Sequence, residues 1–273
     1  MCGETRSSVF FAVEAYRYTA IIQHFPEKIK YARKVSMEQI YTIPINEVFD
    51  TLTSEGAPCE CPMCRLEGRM EENELDLILG ASMMEPDIRI KTNAQGFCRD
   101  HYKKMLGMKN RLGLSLMLES HLAEVKKRIS PSLISSITGK RAEQFVKEIA
   151  KMECSCYICG KMSYHLTRSS ANLAVLYATD DAFRKKFVKA PYICLPHARI
   201  LCESAKKQLS GKDYGAFTAA VMDAVLRYMD SLSEDVSFFC KKFDYRYADE
   251  PWGNAKDAPI RAAAYLTGDP KAE

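Results

Sequence analysis

Two short stretches of this 273-residue chain have the residue types and spacing of metal ligands. The first reads Cys59-Glu60-Cys61-Pro62-Met63-Cys64 and is followed, after 33 intervening residues, by Cys98-Arg99-Asp100-His101. The second reads Cys154-Ser155-Cys156-Tyr157-Ile158-Cys159 and is followed, after 34 intervening residues, by Cys194-Leu195-Pro196-His197. Corresponding residues lie 95 or 96 positions apart. A lone CxxC says little, whereas CxCxxC followed by CxxH, repeated with nearly the same gap, is the mark of a duplicated metal-binding unit. A CxxC turn puts two thiolates on one side of a tight loop, and a second pair completes a tetrahedral shell.

The reading is therefore two Cys3His sites, one in each half: Cys61, Cys64, Cys98 and His101 in the first, Cys156, Cys159, Cys194 and His197 in the second. Zinc, two ions per chain, suits a closed shell of this kind. Cys59 and Cys154 supply a possible extra thiol to each set, and four cysteines beside a histidine could instead hold an iron–sulfur cluster. A thioredoxin-like role for CxxC would want a βαβ context, which the sequence does not offer.

These ligands need helices to position them. Pro196 and Asp100 suit the first turn of a helix opening at each CxxH, where free backbone N–H groups stabilise thiolate charge. After Cys64 a helix of about 16 residues would run roughly 24 Å away, and the stretch Ser82 to Cys98 is long enough to bring the chain back as a return loop. The second half fits the same plan, with a helical turn at Asp181 to Val188.

Helical periodicity also marks Leu114, Leu118, Leu122, Val125 and Ile129, then Ala142, Phe145, Val146, Ile149 and Met152. One long amphipathic helix is expected from Tyr214 to Phe243. Asp87-Ile88-Arg89-Ile90 is the only tempting strand pattern. The fold class is all-α, a pseudo-duplicated helical scaffold with two metal-binding knuckles. Its expected parts are a dispensable N-terminal extension at 1–36, metal-binding helical units at 37–130 and 131–240, and a C-terminal strap at 241–273.

Composition sets the limits. The chain is 47% hydrophobic and 27% charged, with a net charge of +4, which is ordinary for a soluble globular protein. No stretch approaches the roughly 18 to 20 apolar residues of a membrane helix, and Ser8 to Val13 is too short for a signal-peptide core. The expected location is the cytoplasm, and no membrane partner is expected. Residues 1–36 hold six basic and three acidic residues, so the remainder is close to neutral. That disfavours nucleic acid as a partner. Eleven cysteines without an export signal read as ligands or thiols rather than as a disulfide framework.

Other residues invite weaker stories. His121 and His165 read as packed or surface side chains, and Cys202 as buried on its helix. Cys2 and Cys240 have no partner pattern. Glu67, Glu71, Glu72 and Glu74 look like a solvated helix face. The tail around Phe243-Asp244-Tyr245-Arg246 and Glu250-Pro251-Trp252-Gly253 reads as a strap over the helices. Its alternative is a ligand-binding lip using Arg246, Lys256 and Arg261, with a short helix ending near Gly268.

The blocks Ile40 to Pro44, CPMC with Leu66-Glu67, Met84 to Arg89, Thr92-Asn93 through Cys98 with His101, and Arg111 to Leu114 with Ser120 to Leu122 go further. Together with Cys156 to Cys159, Cys194 to His197 and the FDYR and EPWG tail blocks, they resemble an uncharacterised bacterial family found chiefly in anaerobic Gram-positive lineages. The resemblance covers about residues 38 to 268. It implies no activity, because that family is a domain of unknown function. Ala198 departs from the aromatic residue often found after the histidine, which leaves ligation untouched.

No catalytic residue and no small-ligand site can be named, and no Ser-His-Asp set, phosphate loop or HExxH motif is present. The leading expectation is a zinc-binding protein whose sites are mainly structural, serving as a scaffold for a protein partner. The alternative is an iron–sulfur or metal-dependent enzyme or redox protein. Third comes a nucleic-acid-binding zinc module using Lys103, Lys104, Lys109 and Arg111 with Lys126 to Arg128.

Overall fold

The computed structural model describes residues 39–56, 59–130 and 141–268. Among them there is no strand, and eleven α-helices follow one another in an order that repeats. The first round is α1 (Gln39–Leu52), a knuckle, α2 (Pro62–Leu79), α3 (Pro86–Gln95), α4 (Arg99–Gly107) and α5 (Arg111–Ile129). The second is α6 (Arg141–Glu153), a knuckle, α7 (Tyr157–Thr179), α8 (Asp181–Lys189), α9 (Leu195–Gln208) and α10 (Gly211–Lys241). A tail follows with two 3-10 turns, Tyr245–Tyr247 and Gly253–Ala255, and α11 (Ala258–Thr267). The duplication read from the cysteines is thus a duplication of helices. The N-terminal extension and Cys2 lie outside the described residues.

Two local expectations change. Asp87 to Ile90 is helical, not extended, and the return from α2 is itself a helix. Pro86 sits in the first turn of α3, where its missing N–H costs nothing, and Gly96 with φ of 62° ends it. These two stop signals outweigh four residues of alternating polarity.

The chain forms two compact units, and they do not follow the sequence repeats. One is the continuous segment Met70–Tyr164. The other is assembled from the described residues up to Arg69 and from His165 onward. Helices α2 and α7 each begin in one unit and end in the other.

In the continuous unit, Leu75, Ile78 and Leu79 of α2 share a core with Phe97, Met105, Leu114, Met117, Tyr157, Ile158 and Met162. Helices α3 and α6 pack on α5. Asn110 caps α5, its side chain accepting from the Gly113 N–H at 2.8 Å.

In the discontinuous unit, Ile45, Val48 and Phe49 of α1 are buried with Leu173 and Tyr177 of α7, Phe183 and Phe187 of α8, and Phe217 and Val221 of α10. Phe49 meets Phe183 edge-on at 5.0 Å between centroids, and Tyr177 meets Phe217 at 5.3 Å. Asp180 caps α8 by accepting from the N–H groups of Ala182 and Phe183.

The tail is held to this unit by charge and by α11. Arg261 bonds Asp235 at 2.9 Å and Asp257 at 2.9 Å, and also reaches the Asn254 carbonyl. The Lys242 ammonium donates to the carbonyls of Tyr247, Ala248 and Glu250 and lies over the Trp252 ring. Arg246 is paired with Asp244. Two of the three cations of the imagined ligand lip are therefore engaged inside the tail.

Candidate metal centre

All four short motifs sit at helix starts. Cys61 immediately precedes α2 and its carbonyl accepts from Arg65 N–H at 3.1 Å; Cys156 precedes α7 and accepts from Gly160 N–H at 3.1 Å. Cys98 and Cys194 are the residues that open α4 and α9, both with extended backbone. Each group of sulfurs therefore faces helix N-termini, whose free N–H groups and dipoles favour negative charge. The Cys159 N–H points at Cys156 Sγ and the Cys194 N–H at Cys61 Sγ, each at 3.5 Å.

The structure brings all eight expected residues into two groups of four, each with its potential donor atoms within 4.8 Å of one another. The pairing, however, is crossed. One group is Cys61, Cys64, Cys194 and His197; the other is Cys98, His101, Cys156 and Cys159. Each knuckle thus joins the CxxH of the opposite repeat, and the expectation of one site within each half is corrected. In chain order the 98/159 group is nested inside the 61/197 group. The physical reason lies in α2 and α7. These helices of 18 and 23 residues carry the chain about 27 and 34 Å from their own knuckles, out of the unit in which each knuckle lies.

The 61/197 group is closed. Cys61 and Cys194 are 0% exposed, Cys64 5% and His197 2%. Cys64 Sγ lies 3.6 Å from Cys194 Sγ. His197 Nδ1 lies 3.1 Å from Cys194 Sγ, 3.4 Å from Cys64 Sγ and 4.0 Å from Cys61 Sγ. The 98/159 group has the same form but is more open. Cys156 and His101 are buried, whereas Cys98 and Cys159 are only partly so. Cys98 and Cys159 stand 3.8 Å apart, and His101 Nδ1 lies 3.1, 3.3 and 3.5 Å from Cys98, Cys156 and Cys159.

Both histidines aim Nδ1 at the sulfurs and give Nε2 to a carboxylate. His197 Nε2 meets Glu67 Oε2 at 3.1 Å, and His101 Nε2 meets Glu71 Oε1 at 3.0 Å. Ligating histidines ordinarily have such a partner, which fixes the ring and its tautomer. Glu71 also holds Lys104 at 2.5 Å. Two of the four glutamates expected to form a solvated face are therefore part of the sites. Their only signal in the sequence was a place three or seven residues beyond Cys64 on the same helix. The symmetry is broken here, since the residue 95 positions after Glu67 is Met162 and both carboxylates come from α2.

Charge in these groups is poised for a cation. Burial alone would push Glu71 up, but hydrogen bonds from His101 and Lys104 hold it down at about 2. Burial would lower His101, yet its contacts with Cys156, Cys98 and Glu71 raise it to about 11. His197 is raised for the same reasons, against burial, by Cys194, Cys61 and Glu67. Hydrogen bonds from Cys156 and Cys159 push Cys98 down, while those involving Cys156 and Cys98 push Cys159 up. Sulfurs packed this closely cannot all ionise unaided, and the arrangement suits a metal ion.

The remaining candidates fall outside. Cys59 and Cys154 are exposed and belong to neither group. His121 Nδ1 donates to the Asn93 carbonyl (2.9 Å), and His165 pairs with the Tyr41 hydroxyl (3.1 Å). Cys202 and Cys240 also lie outside both groups.

A family model described as a family of unknown function (DUF6062) matches residues 36–273. The chain belongs to this family. The match begins beside Met37, as the sequence blocks implied, and spans both Cys/His groups. No curated protein and no solved structure matches the chain. No helix among the described residues is long and apolar enough to cross a membrane.

Proposed function

We propose that each group holds one zinc ion and that the two ions clip a nested helical scaffold together. The spacing of the donor atoms carries this reading. With Zn–S of about 2.3 Å and Zn–N of about 2.0 to 2.1 Å, a tetrahedron has S···S edges of about 3.8 Å and S···N edges of about 3.6 Å. The sulfur pairs at 3.6 and 3.8 Å and the Nδ1–Sγ distances of 3.1 to 4.0 Å surround those values. An iron–sulfur cluster spreads its four protein ligands over two or more irons, so donors on different irons would stand farther apart than the 4.8 Å within which each group lies. The same spacing therefore favours a single shared ion.

Three thiolates and an imidazole fill four-coordinate zinc, which is the arrangement of a structural site rather than of one that keeps a position open for substrate. Glu67 and Glu71 then act on the metal through His197 and His101, orienting each ring and strengthening it as a donor. With both shells filled, neither ion keeps a position open for a substrate, which supports a helical scaffold that presents its surface to a protein partner. The nucleic-acid reading loses support because Lys104 is tied to Glu71 and Arg128 to Glu148 and the Ala94 carbonyl.

The test is metal analysis of full-length protein purified without oxygen, together with its visible spectrum. Two zinc per chain and no absorbance near about 400 nm are expected. A brown protein, or one without zinc, overturns the assignment.

A further inference from the structure

The two groups differ where chemistry would notice. At the 61/197 group every donor residue is at most 5% exposed. The tail adds cover: Cys64 Sγ lies 3.5 Å from the Gly268 carbonyl, and Tyr265, 0% exposed, packs with Tyr192 and Tyr228 beside it. At the 98/159 group two of the three cysteines, Cys98 and Cys159, are only partly buried, and their sulfurs are the pair 3.8 Å apart. The third, Cys156, is buried. A zinc-bound thiolate remains a nucleophile, and its reactivity follows access.

We propose that Cys98 and Cys159 form a modification site for hydroperoxides, oxidised together to a disulfide with release of the ion from that group alone. The inference rests on the metal-site reading above. One exposed thiolate attacks the peroxide, forming an S–O bond and breaking O–O, and hydroxide (or an alkoxide) departs. The second thiolate attacks that sulfur, forming the S–S bond and expelling the sulfenic oxygen as hydroxide. Two thiolates have then lost two electrons and one hydroperoxide has gained them. The sulfurs need only close from 3.8 Å to about 2.05 Å. The bridge removes two of the four donors, leaving only His101 and Cys156 to hold an ion in that group. The 61/197 group, with no sulfur open to the peroxide, keeps its metal and the fold of its unit.

The experiment uses full-length protein whose zinc content is first counted. Hydrogen peroxide is added stepwise, released zinc is read with a chromogenic chelator, and disulfides are mapped by mass spectrometry without reduction. The expected result is one zinc per chain released at least tenfold faster than the other. The first bridge should be Cys98–Cys159, and dithiothreitol with added zinc should restore the starting state. A Cys154→Ser variant should behave the same, since that exposed thiol is outside the group. Simultaneous loss of both ions, a first bridge using any other cysteine, or loss of the fast phase in C154S overturns the inference and leaves the metal reading standing. Fewer than two zinc per chain before peroxide overturns the metal reading and this inference with it.

Discussion

Replacing Glu71 by Ala should weaken one metal site and spare the other. Glu71 Oε1 accepts from His101 Nε2 at 3.0 Å, and the histidine side chain is only 7% exposed. The orphaned N–H would therefore find little water to replace its partner. A hydrogen bond to a charged acceptor contributes about 1.5 to 3 kcal/mol, and loss of such a carboxylate typically lowers metal affinity about 10- to 100-fold, so the two measures agree. Glu71→Gln keeps a neutral acceptor and should lose only about 1 kcal/mol, roughly fivefold. The assay is competition for zinc against a chelator of known affinity, run on the two-zinc protein so that each site reports separately. In E71A the Cys98–Cys159 site should release its ion to about 10- to 100-fold less chelator while the other site is unmoved, and E67A should give the mirror result. If E71A weakened both sites equally, or neither, the role assigned to the glutamates would be wrong.

Three further outcomes follow from the same geometry. Cys194→Ser removes a donor that is 0% exposed. Because structural zinc carries folding free energy on the order of 10 kcal/mol, chelator-treated wild type and C194S should both lose helical circular dichroism on mild heating; an unchanged thermal midpoint would count against a structural ion. Metal-free protein should depend on pH in a definite direction. His101, raised to about 11, contributes stability that is full below its ordinary 6.5 and lost as pH rises toward about 11, while Glu71, lowered to about 2, contributes stability that is full above its ordinary 4.5 and lost as pH falls toward about 2. Zinc uptake at neutral pH must then expel protons, which calorimetry in buffers of different ionisation enthalpy would measure; proton-neutral uptake would contradict the charge state derived for the histidine. Gly96 has φ of 62°, and a Cβ there would lie 2.7 Å from His121 Nε2. Gly96→Ala should cost about 1 to 3 kcal/mol and lower the thermal midpoint by roughly 3 to 10 °C. Adding His121→Ala should relieve the clash but leave the backbone strain, and complete recovery would show that the positive φ is not costly.

The eight grouped residues were legible because CxxC and CxxH are local: three residues fix which side chains share a turn, and the echo 95 or 96 positions on removes chance. Their pairing was not. The 33 or 34 residues between a knuckle and the next CxxH can reach either partner, and the choice follows α2 and α7, each of which leaves the unit of its own knuckle. Glu67 and Glu71 were hidden for a related reason. Helical spacing places them on α2 with Cys64, but nothing in the sequence says which histidine approaches that face. The long helix α10 was readable from its unbroken apolar stripe, and α11 from Pro259 near its start and Gly268 at its end. Helix α3 was missed because Ile88 and Ile90 alternate with charges over too few residues to separate period 2 from period 3.6.

Nesting also sets a clock on biosynthesis. At about 5 to 20 residues per second, the 61 positions from Cys98 to Cys159 pass in roughly 3 to 12 s. The 130 positions from Cys64 to Cys194 take roughly 7 to 26 s. On the zinc reading proposed above, the first knuckle to leave the ribosome would therefore be the last to be filled, waiting for Cys194 and His197 while the nested group is completed ahead of it. A nascent chain stalled before residue 194 would leave the ribosome with one ion bound and one knuckle open to oxidation. The interval in which the first knuckle lacks its partner therefore ends only when the start of the ninth helix emerges.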